Sequence, residues 1–124
     1  MPYDGLELGQ IEGWRRSGLL DAQQHETLVG MLRAWEDARS ADTQWARLER
    51  EMLDLFARQS KVTDQLGVLR EGGPEGMLRM RFVSELDSAQ HRILAIDEEM
   101  QKLRAQAAAH RQTAQRALAG LSRP

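Results

Sequence analysis

Cysteine does not occur in the sequence. Disulfides, cysteine-ligated zinc and thiol nucleophiles are therefore excluded, and a reducing, cytoplasmic setting is the expectation that fits. Proline is confined to positions 2, 74 and 124, so a helix is forced to stop or start at one interior point. Aromatic residues make up only 5%, and no stretch alternates apolar with polar residues over the length of a strand. No apolar run approaches the ~20 residues of a bilayer span, so no membrane insertion is expected. The opening Met1-Pro2-Tyr3-Asp4 lacks the basic and apolar regions of a secretory signal. Neither sign of charge dominates, with 17 Lys+Arg against 19 Asp+Glu and a net charge of -2. That balance gives no overall pull toward a polyanion.

Leu, Ala, Gln, Glu and Arg dominate what remains, and these are good helix formers. The expected fold class is all-α. Glu71-Gly72-Gly73-Pro74-Glu75-Gly76 is the strongest punctuation: Gly72 suits the left-handed residue that ends a helix, and Pro74 suits the first turn of the next. A weaker break lies at Ser17-Gly18-Leu19-Leu20-Asp21, where Gly18 closes one helix and Asp21 caps another. The reading is a short N-terminal helix and turn over 1–20, then a long antiparallel helical hairpin over 21–124 with its turn at 72–76. Its arms run over about 21–71 and 75–121, each on the order of 70 Å at 1.5 Å per residue. The short helix, over roughly residues 5–16, packs at the base of the hairpin.

Heptad spacing identifies the hairpin as an antiparallel coiled coil. In the last helix Phe82, Leu86, Ala89, Ile93, Ile96, Met100, Leu103, Ala107, His110, Ala114, Ala117 and Leu121 alternate steps of four and three without a slip. Trp45, Leu48, Met52, Leu55, Gln59, Val62, Leu66 and Leu69 do the same in the middle helix. Upstream, Leu28, Met31, Trp35 and Ala38 keep the spacing but reach Trp45 three residues out of phase, which is a stammer. Folding about the turn pairs residues whose numbers sum to roughly 146, so Trp35 falls opposite His110. Gln59 and His110, polar at core positions, read as register-setting groups.

Chemistry is sparse. Asp87 and His91 share a helix face, but no His-Glu-x-x-His or second Glu-x-x-His accompanies them, so a solvated face explains them better than a metal site. Gly72-Gly73-Pro74-Glu75-Gly76 lacks the Lys-Ser/Thr of a phosphate loop and follows no strand. No Ser or Asp has a histidine partner at catalytic spacing. The expectation is no enzyme, no metal and no cofactor. From Met100 onward there is no acid, and Lys102, Arg104, Arg111, Arg116 and Arg123 make that end basic. A nucleic-acid surface calls for a denser patch with aromatic interleaving, so this reading ranks second.

Apolar residues beyond the heptad positions are more telling. Leu53 and Phe56 stand beside Met52 and Leu55, and Leu94 stands beside Ile93 and Ile96. That belt is a candidate self-association surface for a homodimer. A second excess surrounds the turn: Leu66 and Val68 before it, Met77, Leu78, Met80, Phe82 and Val83 after it. Methionines at an apolar end suit an adaptable surface for a partner protein. Two functional classes follow beside the protein-binding adaptor: a small regulator of nucleic-acid machinery, and a purely structural coiled-coil dimer.

Leu28 to Phe56 followed by Gln90-His91-Arg92-Ile93-Leu94-Ala95-Ile96-Asp97-Glu98-Glu99-Met100 resembles the flagellar type III export chaperones. Those are small, acidic, helical proteins whose later helix often carries an Ile-Leu-x-hydrophobic-Asp-x-Glu run. The resemblance covers about two thirds of the chain and implies a chaperone-like, protein-binding role. The chain departs from that pattern in lacking an aromatic C-terminal end and in carrying an extra N-terminal helix. Ile11-Glu12-Gly13-Trp14-Arg15-Arg16-Ser17-Gly18-Leu19-Leu20-Asp21 is similar to helix-Gly-hydrophobic-helix modules that open some bacterial membrane proteins. With no membrane segment after it, only the local turn carries over.

Overall fold

The computed structural model describes residues 8–69 and 73–121. Three helices account for nearly all of them: α1 (Leu8–Arg16), α2 (Ala22–Leu66) and α3 (Gly73–Leu121). The fold is all-α, with α2 and α3 packed antiparallel and α1 against α2. No helix among the described residues is long and apolar enough to cross a membrane.

The break between α1 and α2 forms as its residues dictate. Gly18 has φ of 82°, the positive value that side-chain-bearing residues avoid. Its N–H donates to Arg15 O at 3.2 Å, and Leu19 N donates to Trp14 O at 3.0 Å, which together make a Schellman closure. Asp21 then caps α2: Gln24 N donates to Asp21 Oδ1 at 2.7 Å, and Asp21 N donates to Gln24 Oε1 at 3.0 Å. This reciprocal pair satisfies two amide groups that a helix start leaves orphaned.

The other end of α2 differs from the sequence expectation. The helix stops at Leu66 rather than near residue 71. Past Gly67 the bonds tighten to i→i−3, with Val68 N on Gln65 O and Leu69 N on Leu66 O, both at 3.3 Å. Arg79 of α3 also donates Nη1 to Leu66 O at 3.1 Å, so this carbonyl accepts from both the Leu69 amide and a side chain of the next helix. Gly72, expected to close α2, lies outside the described residues, as do Leu6, Glu71 and Arg123. Pro74 sits in the first turn of α3, where its fixed φ fits and its missing N–H costs nothing.

Contacts group the chain into two units. Unit 1 comprises Met1–Gln44 and Leu103–Pro124. Its core holds Ile11, Leu28, Met31, Leu32, Ala34, Trp35 and Ala114 as one cluster, with Leu20, Val29, Ala117, Leu118 and Leu121 packed against it. The small Ala114 of α3 is fully buried in the cluster that holds the bulky Met31 and Trp35. Burial of both Ala38 and Ala41, with Asp42 exposed, places two three-residue steps in succession, where the stammer was expected.

Unit 2 comprises Trp45–Lys102, contributed by α2 and α3. Its fully covered residues are Val62, Ile93 and Ile96, and the other heptad positions are half-buried. Two helices shield a single seam, so this core is thin. Gln59 sits on the seam and donates Nε2 to Gln90 Oε1 across it at 3.3 Å. This hydrogen bond and the ion pairs Glu51–Arg92 and Arg58–Glu85 fall within a turn of the expected register.

Candidate interaction surface

Each seam residue of unit 2 has a neighbour before it and a neighbour after it, and these project to opposite flanks of the helix pair. Glu51 and Arg92 precede the seam residues Met52 and Ile93. Arg92 donates Nε to Glu51 Oε1 at 2.8 Å and Nη2 to Oε2 at 2.9 Å, a bidentate pair. Those hydrogen bonds hold the Glu51 carboxyl below the usual carboxylate range and push the Arg92 guanidinium up. Arg58 and Glu85, which precede Gln59 and Leu86, pair at 3.5 Å. Both ion pairs are substantially solvated, so each contributes little stability. What they do is mark one flank as ionic, and the grooves along it are lined by Arg58, Lys61, Arg81, Glu85 and Arg92.

The opposite flank collects the following positions. From α2 these are Leu53, Phe56, Ser60 and Thr63; from α3 they are Val83, Asp87, Gln90 and Leu94. Met80 continues the α3 row one step before Val83, whereas Met77, three residues further back, has turned about 120° from Val83 and faces away from the seam. The apolar members are open to solvent: Met80 73%, Leu53 58%, Leu94 58%, Val83 51% and Phe56 47% exposed, with Met77 beside them at 76%. On α2 the row carries no charge from Leu53 to Thr63, with Glu49 preceding it, and Asp87 and Asp97 are the acids that follow seam residues on the α3 side.

The residues singled out from the sequence thus separate into three environments. Met80, Val83, Leu53, Phe56 and Leu94 share the apolar flank, so part of the supposed tip continues the belt, while Met77 faces away from the seam beside it. Leu66 and Phe82 are half-buried on the seam, where their side chains serve the hairpin itself. Val68 is exposed beyond the end of α2, and Leu78 is exposed just before the capping Arg79. Sequence reasoning missed Arg79 and the two ion pairs. Charge order offered a partial signal on α3 alone, where the charged seam-preceding positions Arg81, Glu85, Arg92, Glu99 and Lys102 alternate in sign.

Groups weighed for other chemistry lie apart from this row or on solvated faces. His91 and Asp87 are both exposed, with Nδ1 of the ring 3.6 Å from Asp87 Oδ2. No cluster of three or more potential metal ligands occurs among the described residues. His110 is half-buried at its heptad position in unit 1. At the basic end, Arg111 is committed to an ion pair with Asp42. Comparison of the chain with protein-family models, curated proteins and solved structures found no match in any of the three.

Proposed function

We propose that the chain is a non-enzymatic helical interaction module that binds another protein, an adaptor or export-chaperone-like role played in the cytoplasm. The observation that supports this reading is the row of large apolar side chains left open on one flank of unit 2, with Met80 the most exposed of them and Met77 beside it. Holding such side chains in water forgoes ~1.5–3 kcal/mol for each that could be buried. A monomeric protein gains nothing from keeping them in line. Methionine is suited to the task because its unbranched, polarizable side chain adapts to partner surfaces of varied shape. The ionic flank, where Arg92 pairs with Glu51 and Arg58 with Glu85, keeps the opposite side hydrated.

The test is capture from the native host. Immobilised protein is expected to retain a discrete partner identified by mass spectrometry, and exchange of Met77 and Met80 for Ser should reduce its recovery at least about tenfold. Helicity by circular dichroism should not change, because neither residue lies on the seam. Equal recovery by the double variant would overturn the reading.

A further inference from the structure

The two units carry the same sequence device with different outcomes. In unit 1 a second apolar stripe stands one residue after the first: Val29 after Leu28, Leu32 after Met31, Leu118 after Ala117. There the second stripe is buried or half-buried, in a cluster shared with Ile11 of α1. In unit 2 the device repeats as Leu53 after Met52, Phe56 after Leu55 and Leu94 after Ile93. There the second stripe is exposed. A widened stripe is the mark of a helix pair built to take a further helix. Unit 1 obtains that helix from the chain's own N-terminal segment; the described chain supplies none to unit 2.

Size and charge narrow the occupant. At ~150–200 Å² for a large side chain, the exposed parts of Leu53, Phe56, Val83 and Leu94 sum to roughly 370 Å². That is about half of the ~800 Å² per partner that a stable protein interface buries, and Met80 with the polar positions Ser60, Thr63 and Gln90 of the same row extends it. The α2 row is uncharged from Leu53 to Thr63, and on the other flank Arg92 pairs with Glu51 and Arg58 with Glu85. An identical apolar row is complementary to this one without requiring an opposite charge on the partner. Self-complementarity of one patch is what a two-fold interface requires.

We propose that the apolar flank of unit 2 is the contact face of a homodimer, in which two copies lay Leu53, Phe56, Val83 and Leu94 against each other and complete a four-helix core. The proposal rests on the reading of this row as a binding face, and it names the occupant as a second copy. Met80 extends the contact at the end of the row.

Sedimentation equilibrium of the full chain tests it. Wild-type protein is expected to be dimeric at micromolar concentration. Phe56→Glu with Leu94→Glu should raise the dimer dissociation constant at least a hundredfold, and the milder Phe56→Ser with Leu94→Ser at least tenfold, with helicity kept. Ser88→Glu, on the ionic flank, should leave the dimer intact. A wild-type chain that stays monomeric to several hundred micromolar, or a Glu double variant that stays dimeric, overturns the proposal. Monomeric protein that still captures a partner through Met77 and Met80 overturns the second copy alone and leaves the binding role standing.

Discussion

Replacing Ile96 with alanine is expected to destabilise the protein by about 3 kcal/mol, within the ~2–5 kcal/mol range of large-to-small core changes. Ile96 is fully buried, and with Ile93 and Val62 it makes up the covered part of unit 2. Losing its three outer carbons removes their transfer energy and leaves a gap between two helices that approach through few other closed contacts. A seam bounded by only two helices closes over a gap more readily than a deep core, which places the cost below the top of the range. For a chain of this size the shift in unfolding temperature is on the order of 10 °C. Thermal unfolding followed by circular dichroism reads it directly, in dilute protein so that association does not contribute. A loss under about 1 kcal/mol would mean that Ile96 does not lie between α2 and α3.

The second large effect belongs to Ile11→Ala, and it takes a different form. At nine residues α1 is shorter than the ~12–15 that an isolated helix needs, and Gly9 and Gly13 weaken it further. Its helicity therefore depends on docking, and Ile11 is the one α1 side chain that is fully buried. Leu8 and Trp14 are too exposed to hold it alone. Truncation should cost about 2–4 kcal/mol of docking energy, enough to release α1 while α2 and α3 stay paired. Hydrogen exchange should show loss of protection at Ser17 and Leu19, whose N–H groups close the helix, with little change at Ile93 and Ile96. Unaltered protection at Leu19 would show that other contacts hold α1 in place.

How far the sequence carries depends on whether a feature is periodic and local or built by tertiary contact. All twelve seam residues of α3 from Phe82 to Leu121 are buried or half-buried, because a strict alternation of four and three can face one partner only. The Gly18 closure and Asp21 cap were legible because backbone geometry demands those residue types. The end of α2 was not. Gly67 falls between the seam residues Leu66 and Leu69, where one glycine in a good pattern reads as tolerated, and the Arg79 side chain that joins the Leu69 amide on the Leu66 carbonyl comes from another helix. The interaction surface was legible as two patches of apolar residues but not as one row. Which side of α2 shares a flank with which side of α3 is settled by Glu51–Arg92 and Arg58–Glu85, and cross-helix partners do not show in a one-dimensional pattern.

The claim that an open apolar row is the working surface can be read at its methionines. Met31 is fully buried in unit 1, Met52 and Met100 are half-buried, and Met80 stands on the row with Met77 beside it. Methyl resonances of the methionines, recorded over a dilution series with a soluble paramagnetic agent, report each environment separately. The account predicts strong paramagnetic broadening at Met77 and Met80 in dilute protein, none at Met31, and shifts of the Met80 signal as concentration rises and the row is covered. Met77 and Met80 methyls protected like that of Met31 in dilute protein, with no change on concentration, would contradict it.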